Sequence, residues 1–421
     1  MIVAAFRIRS FRFQMPADLL TSWAFEMETL VLGWYVMVNT GSVLLLTAFA
    51  SLQQLGTLAA PMFGVLGDRL GGRVMLCAMR ATFAGLAASV MILALTGMLT
   101  PVWVFGVAML AGIVRPNDQV IRNALIGETI PPAHLIGALG VSRATMDSAR
   151  VAGALVGAGL STALGIGLTY VVVTIFYGAS LLLTLGVARR PPYALFAGRT
   201  SAEVPRPSRW RDLRDGLVHV LSTPTLLAMM WLAFLVNLTA YPASSGLLPY
   251  VARRVYEVDA TGLGWLVASF SVGGLLASIT MVVTGGSRRP ERATLLHTAL
   301  WYALLLGFGH MPSFRGALLA LFAAGFVQNV AMISMAATLL AAAGEGLRGR
   351  VMGVRMLAVY GMPLGLMASG ALIERMGYPL TISALAVTGL VFTLAIGVRW
   401  RTSMWQRAPQ ASGRASVPQR A

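Results

Sequence analysis

The chain of 421 residues contains no lysine, and it has one cysteine, four histidines and 15 acidic residues. Without lysine it cannot form the Gly-x-x-x-x-Gly-Lys-[Ser/Thr] loop that holds nucleotide phosphates, so it does not bind ATP in that manner. Cys77 alone cannot form an internal disulfide. Neither a nucleophile with its base nor a cluster of metal ligands stands out, so we predict no enzyme, no cofactor and no metal site.

Charged residues make up only 11% of the chain, against 57% hydrophobic residues, and the mean hydropathy is +0.76. This composition is too apolar for a soluble globular protein and predicts a polytopic protein of the lipid bilayer. All 32 basic residues are arginines, and the net charge is +17. Because these arginines lie in the gaps between apolar runs, they indicate membrane topology, and we predict no nucleic-acid partner.

The apolar runs predict an all-α protein with twelve membrane-spanning helices, at about 20 residues per span. A polar segment rich in proline and arginine separates two six-helix halves, which gives a first half 1–188, a cytoplasmic linker 189–222, a second half 223–400 and a disordered basic tail 401–421. The predicted spans are residues 17–39, 43–66, 73–97, 101–122, 140–163, 166–188, 224–248, 262–285, 293–310, 315–342, 352–373 and 377–399.

Arginine is distributed unequally between alternate loops. One set of loops contains the linker, the tail and Arg7, Arg9, Arg12, Arg69, Arg73, Arg122, Arg288, Arg289, Arg292, Arg348 and Arg350. The other set contains only Arg253, Arg254, Arg315 and Arg375. Since arginine-rich loops stay on the cytoplasmic side, this pattern predicts that both termini are cytoplasmic, in the cytoplasmic membrane of a bacterium.

The two halves show a weak internal repeat. A shift of 212 residues brings Arg143 and Gly153 onto Arg355 and Gly365, so the fifth and eleventh spans align as glycine-rich helices led by an arginine. Two repeated six-helix halves are typical of transporters, with the substrate site between the halves near the middle of the membrane. A chance alignment of glycines is the alternative.

The turn between the second and third predicted spans holds charges among glycines, in Gly64-Val-Leu-Gly-Asp-Arg-Leu-Gly-Gly-Arg73. Such charges are costly in hydrocarbon, which places the turn at a membrane surface. It resembles the loop between the second and third helices of the major facilitator superfamily, Gly-x-Leu-x-Asp-Arg-x-Gly-x-Arg. The matching residues are Gly64, Leu66, Asp68, Arg69, Gly71 and Arg73.

Other short motifs are similar to the multidrug, macrolide and enterobactin exporter branch of that superfamily. They are Trp34 ahead of Thr40-Gly41-Ser42, Pro116, Leu247-Leu248-Pro249, and Arg348-Gly349-Arg350-Val351-Met352. The resemblance implies the major facilitator fold and export of a small molecule. It also implies that the charged turn latches the cytoplasmic side in the outward-open state.

In that latch, the resemblance implies that Asp68 faces the N-terminus of the eleventh span, near Arg350, where the helix dipole favours an anion. Arg73 is then expected to pair with Asp118 at the end of the fourth span. The alternative is that these charges only set the topology.

Glu26 and Glu28 lie near the centre of the first span, where ionisable residues usually mark a substrate or proton path. At about 100° per residue the two side chains point about 200° apart, so they cannot both face one narrow cavity. The alternative for each is a structural pair with an arginine of the same half. Glu26 shares its helix face with Ser22, Thr29 and Gly33. Glu28 shares its helix face with Thr21, Tyr35 and Asn39.

Charged residues at helical spacing also mark the fourth and fifth spans. Arg115 lies deepest and resembles the fourth-helix arginine that the superfamily links to proton coupling, with structural pairing to Glu26 or Glu28 as the alternative. The two stripes are Arg115, Asp118 and Arg122, and Arg143, Asp147 and Arg150. In each stripe the aspartate lies near two arginines of the same helix and partly neutralises their charge.

Small residues at four-residue spacing, Gly153 and Gly157, allow close helix packing in the fifth span. They occupy the place of the antiporter motif Gly-Pro-x-x-Gly-Gly, but Ala154 and Ala158 replace its proline and first closing glycine. The eleventh span keeps Gly361, Pro363 and Gly365, which predicts a bend that helps the halves rock.

The second half offers uncharged polar residues to the cavity, namely Asn237, Tyr241, Gln328 and Asn329, and we group Tyr35 with them. A mostly apolar cavity with one or two acids favours lipophilic cargo, including cations, over sugars or phosphates. We predict a monomeric secondary active exporter of a drug, siderophore or secondary metabolite, driven by the proton gradient. The alternatives are a lipid or metabolite transporter without proton coupling, and a membrane sensor that does not transport.

Overall fold

The computed structural model describes residues 8–56, 70–130, 132–188, 209–344 and 347–405, and these residues contain no β-strand. The first half consists of α1 (Arg9–Thr40), α2 (Val43–Leu52), α3 (Gly72–Leu95), α4 (Pro101–Thr129) and α5 (Pro132–Leu185). The second half consists of α6 (Arg209–Ser222), α7 (Pro224–Thr239), α8 (Leu248–Tyr250), α9 (Ala260–Val283), α10 (Pro290–Gly309), α11 (Phe314–Ala342), α12 (Arg348–Ala358), α13 (Gly361–Met376), α14 (Tyr378–Arg399) and α15 (Arg401–Trp405).

Each predicted span contains a helix among the residues that the structure describes. In the described part of the chain, seven helical segments are long and apolar enough to cross a membrane, and the longest is Val141–Leu185. That segment contains two predicted spans, because α5 leaves helical geometry at Gly165, with φ 77° and ψ 173°. Only glycine adopts this conformation readily. The protein is therefore an all-helical multi-pass membrane protein, and the full count of twelve spans stays a prediction.

Several boundaries differ from the prediction, and the first helix, for example, begins at Arg9 and not at residue 17. The seventh span was expected to end at residue 248, but helical turns continue through Val255, including π-helical turns at Pro242–Gly246 and Val251–Val255. The fourth helix runs past residue 122 to Thr129, and its Asp118 and Arg122 have charged partners, as described below. Residues 401–405 were expected to be disordered but form α15.

The predicted bend in the eleventh span lies just before Pro363. The segment breaks between Ala358, the last residue of α12, and Gly361, the first residue of α13. Proline has no backbone N–H, so it cannot donate the helical hydrogen bond to the carbonyl four residues earlier, which is that of Val359.

Helices α9 and α11 pack through reciprocal glycines. A methyl group added at Gly273 would overlap the carbonyl oxygen of Phe322, and one added at Gly325 would overlap that of Phe270. We expect Gly325→Ala to lower the unfolding free energy by about 1–3 kcal/mol, because a packed backbone must separate. Thermal unfolding of the purified protein, followed by tryptophan fluorescence, measures this loss.

Gly307→Ala is the matched control. A methyl group at Gly307 meets no described atom within 4 Å. A Gly325→Ala variant as stable as Gly307→Ala would contradict this packing.

The two halves contact each other near the helix ends opposite the linker. We call this end of the molecule the far side and the end with α6 the linker side. On the far side, Ser42 donates to Glu374 over 3.3 Å and Thr261 donates to Thr162 over 3.1 Å. These contacts close the far side of the interface between the halves.

Candidate functional site

A polar cavity lies on the linker side of these contacts, between α1, α4 and α5. Phe25 and Met146 contribute apolar walls to it. Its polar lining consists of Ser22, Glu26, Arg115, Asp118, Gln119, Arg122 and Arg150. Two carboxylates and three guanidinium groups therefore face one space inside the first half.

Glu26 is the more accessible of the two glutamates in α1. Its Oε1 lies 3.6 Å from Nε of Arg150, and the two side chains are 26% and 45% exposed, respectively. Gly153 allows this approach, because a methyl group there would lie only 2.8 Å from Cβ of Glu26. The first half thus presents one loosely held, solvent-reachable ion pair.

Glu28 lies inside the helix bundle. It is 7% exposed, and its Oε2 accepts a hydrogen bond of 2.7 Å from the Tyr177 hydroxyl. Helical spacing left open which glutamate faces the cavity. In the structure Glu26 lines the cavity, and Glu28 packs against the part of α5 that follows Gly165.

Arg115 is held by neutral groups. It donates to Oε1 of Gln53 and to the carbonyl oxygen of Phe25, each over 2.9 Å, and its guanidinium carbon lies 4.4 Å from the centre of the Phe25 ring. Among the described residues Arg115 forms no ion pair with Glu26 or Glu28. Cation–π contact and amide oxygens instead hold its charge at the cavity wall.

A buried four-residue network, Asp18, Arg80, Asp118 and Arg122, lies next to the cavity. Asp18 on α1 pairs with Arg80 on α3, and its Oδ1 lies 3.6 Å from Nε of Arg122 on α4. Arg122 also pairs with Asp118 one turn earlier. Asp18 and Arg80 were not among the predicted site residues, although both are ionisable residues inside predicted spans, as Glu26 is.

On the second half, Tyr241 and Gln328 lie together. The Tyr241 hydroxyl accepts a hydrogen bond of 2.8 Å from Nε2 of Gln328, and its ring packs edge-on against Trp301 with centroids 5.3 Å apart. The π-helical turns that begin at the next residue, Pro242–Gly246, pack against α2 of the first half. This pair therefore lies where the two halves meet.

Three other polar residues expected at the cavity serve packing instead. Tyr35 donates to the Leu99 carbonyl oxygen over 2.7 Å, on the far side. Asn329 bonds to Gly274 and Ser278 and so joins α11 to α9. Asn237 donates to Ala233 one turn earlier in its own helix. Each amide or hydroxyl group has an internal partner, which explains its place within an apolar helix.

A family model described as Major Facilitator Superfamily matches residues 17–362. The chain belongs to the Major Facilitator Superfamily. It is also similar to the multidrug efflux pump Tap of Mycolicibacterium fortuitum, with 27% identity over 367 residues that cover 85% of this chain and 88% of the pump. The resemblance seen in the charged turn is confirmed, and this superfamily consists of transporters, not enzymes.

Solved structures of low sequence identity share the fold. The nucleoside transporter NupG has a TM-score of 0.70 at 13% identity, over 94% of this chain and all of NupG (100%). A POT family transporter in complex with 5-aminolevulinic acid has a TM-score of 0.69 at 12% identity, over 95% and 97% of the two chains. The human organic anion transporter MFSD10 has a TM-score of 0.60 at 15% identity, over 92% and 99%.

The superfamily's charged turn is described only in part. Gly64, Asp68 and Arg69 lie outside the described residues. Gly71, with φ 84°, precedes α3, and Arg73 donates to the carbonyl oxygen of Leu185. The latch is expected in the outward-open state, whereas the far side is closed in this structure, so the role of the latch stays a prediction.

The expected pair between Arg73 and Asp118 is not present. Asp118 is 2% exposed and pairs with Arg122. Arg122 is one helical turn away on the same buried face, so it takes the carboxylate that the resemblance assigned to Arg73.

The small residues of the superfamily's fifth and eleventh helices pack within halves and between them. Gly157 adjoins Met27 of α1, and Gly361 and Gly365 adjoin the backbone of α7. Across the halves, Gly264 of α9 packs on Ala158 of α5, where a methyl group on Gly264 would lie 2.5 Å from the Ala158 Cβ. The alanine that departs from the antiporter motif is therefore part of the closed far side.

Proposed function

We propose that the chain exports small amphipathic compounds from the bacterial cytoplasm in exchange for protons, by alternating access, as a monomer with both termini in the cytoplasm. Membership of the superfamily supports transport of small molecules. The efflux activity named for the 27% identical relative supports the export direction. The observation that carries the proposal is the ion pair of Glu26 with Arg150 at the cavity wall.

Exchange requires one group that binds either a proton or the cargo. Glu26 meets this requirement, because its partner is 3.6 Å away and both side chains are partly exposed. A proton on Glu26 removes the charge that holds Arg150, and a cationic group of the cargo replaces Arg150 beside the carboxylate. Since proton and cargo compete for one carboxylate, binding of either releases the other.

The test uses the protein in proteoliposomes with an imposed pH gradient and the methyl ester of a rhodamine dye, a lipophilic cation, as cargo. We expect Glu26→Gln to reduce gradient-driven dye transport by about tenfold or more, because glutamine cannot exchange a proton. Glu26→Asp is expected to retain proton-dependent transport.

Glu28→Gln is the matched control. Glutamine still accepts the hydrogen bond of the Tyr177 hydroxyl, so transport is expected to stay within about twofold of the unmodified protein. Normal gradient-driven transport by Glu26→Gln would refute the assigned role. Transport that an uncoupler leaves unchanged would favour a facilitator.

A further inference from the structure

Helix α2 ends about halfway along the second predicted span. It begins at Val43 on the far side and ends at Leu52, so its ten residues cover about 15 Å, roughly half the thickness of the hydrocarbon. Turns follow at residues 53–55, where the backbone N–H groups of Gln54 and Leu55 bond to carbonyl oxygens three residues earlier. A helix interrupted at this depth is typical of a transporter segment that lines a cavity.

Close backbone packing fixes these turns against α4. A methyl group added at Gly112 would lie 2.0 Å from the carbonyl oxygen of Leu52, and one added at Gly56 would lie 2.2 Å from that of Ile113. The side chain of Asn117 donates to the carbonyl oxygen of Gly56 over 3.0 Å. Because contacts lie both before and after the turns, the side chains of the turns reach α4 at fixed positions.

Gln53, the first residue of these turns, binds Arg115 of α4. Its Oε1 accepts a hydrogen bond of 2.9 Å from Nη1 of Arg115 and a longer one, of 3.4 Å, from the hydroxyl of Thr29. Nη2 of the same guanidinium donates to the carbonyl oxygen of Phe25, whose ring lies 4.4 Å away. Hydrogen bonds from a charged donor are stronger than neutral ones, so Gln53 contributes directly to where this cation lies.

The position of Arg115 matters because Glu26 lines the same cavity. No ion pair joins the two among the described residues, and Glu26 lies 3.6 Å from Arg150 instead. The other carboxylate of the cavity, Asp118, is buried and pairs with Arg122. Glu26 is therefore the accessible carboxylate of the cavity for a guanidinium that is released from Gln53.

We infer that Gln53 is a positioning residue, which keeps the Arg115 guanidinium away from Glu26. This inference rests on the function proposed above and adds a residue of α2 to its site. With one exchangeable cationic partner, Arg150, Glu26 stays open to protons and cargo. A second guanidinium would favour the ionised carboxylate and compete with cationic cargo. Gln53 thereby sets the pH at which proton and cargo exchange.

Few other charges act on Glu26. The charged groups that line its cavity or lie next to it, besides Arg115, are Asp118 and Arg122 on α4 and Arg143, Asp147 and Arg150 on α5. Three further helices that pack against α1, namely α2, α8 and α9, have no charged residue. A change at Gln53 therefore acts on Glu26 through Arg115, the cavity cation that Gln53 binds.

The test measures the affinity of the purified full-length protein for the rhodamine methyl ester against pH, by fluorescence anisotropy and without a pH gradient. Protons and the cationic dye compete for Glu26, so affinity rises with pH, and the midpoint of the rise reports how readily Glu26 loses its proton. We expect Gln53→Met to lower this midpoint by about one pH unit or more, because Arg115 then pairs with Glu26. Gln53→Ser, polar but too short to reach Arg115, is expected to give the same shift and serves where Gln53→Met does not fold.

Two further variants separate positioning from a structural role. Gln53→Glu still binds Arg115, so its midpoint is not expected to fall. In an Arg115→Met background no guanidinium can move to Glu26, and there Gln53→Met is expected to leave the midpoint unchanged. A merely structural role of Gln53 shifts the midpoint equally in both backgrounds.

Two results overturn the inference. One is a midpoint that Gln53→Met and Gln53→Ser leave unchanged, as expected if the released Arg115 turns to Glu28. The other is an equal shift with and without Arg115. Failure of the proposed function looks different. The affinity of the unmodified protein is then independent of pH, or its pH dependence persists in Glu26→Gln, and the inference fails with it.

Discussion

Asp18→Asn is expected to lower the unfolding free energy by about 3–5 kcal/mol, the usual cost of leaving a buried charge without its partner. Asp18 contacts both Arg80 and Arg122, and asparagine leaves these two guanidinium groups with Asp118 as their sole carboxylate. Chemical or thermal unfolding of the purified protein in detergent, followed by tryptophan fluorescence, measures the change.

The size of this effect follows from burial. The side chains of Asp18, Arg80, Asp118 and Arg122 are each at most 5% exposed, and the network as a whole is neutral. In hydrocarbon, water cannot screen a surplus charge, so neutrality must come from the side chains. The network also joins α1, α3 and α4, so its loss loosens three helices together.

A double variant separates charge balance from shape. Arg80→Met alone leaves two carboxylates with Arg122, but Arg80→Met combined with Asp18→Asn restores neutrality. We therefore expect the double variant to be more stable than the sum of the two single losses predicts. Arg143→Met, which removes an arginine that is 60% exposed, is the control, with an expected cost of about 0–1 kcal/mol. A cost of Asp18→Asn no larger than this would refute the network's role.

The architecture was largely predictable, because membrane helices must satisfy their own backbone hydrogen bonds and therefore appear as long apolar runs. The break at Gly165 between the fifth and sixth predicted spans and the bend near Pro363 lie at a glycine and a proline. The extension of the seventh span to Val255 could not be predicted from the sequence. Its π-helical turns, and the contact of Pro249 with Gly33 of the other half, depend on tertiary packing.

The types of residue at the site were predictable from the sequence, but their interaction partners were not. Helical spacing indicated that Glu26 and Glu28 point apart, and only the positions of Arg150 and Tyr177 show which glutamate faces the cavity. Structural pairing of Arg115 with Glu26 or Glu28 was one of two alternatives, and in the structure Arg115 binds Gln53 and a backbone carbonyl instead. Partners from distant parts of the chain leave no spacing signal, so sequence reasoning finds a buried charge more readily than its partner.

The structure corresponds to one end of the proposed transport cycle. Inter-half contacts close the far side, at Thr162 with Thr261 and at Ala158 with Gly264, while Glu26 and Arg150 remain partly exposed in the cavity on the linker side. Export by alternating access requires these far-side contacts to separate in every cycle. A covalent bond across them therefore tests the mechanism directly.

A disulfide between Thr162→Cys and Thr261→Cys, in a Cys77→Ser background, is expected to reduce transport of the rhodamine ester to the level of empty liposomes. The two threonine hydroxyl oxygens lie 3.1 Å apart, so cysteine side chains at these positions are close enough to link. The bond holds the far side shut, so bound cargo cannot leave on that side. Dye transport is measured before and after oxidation, and the extent of linkage is measured from the free thiols.

The single-cysteine variants are the controls, and both are expected to transport normally under oxidation. Reductant is expected to restore transport by the linked protein, which separates a locked conformation from damage to the fold. Failure of the two cysteines to link would contradict the closed far side. Linked protein that transports at the unlinked rate would contradict alternating access through this interface, because cargo would then cross while the two halves stay joined.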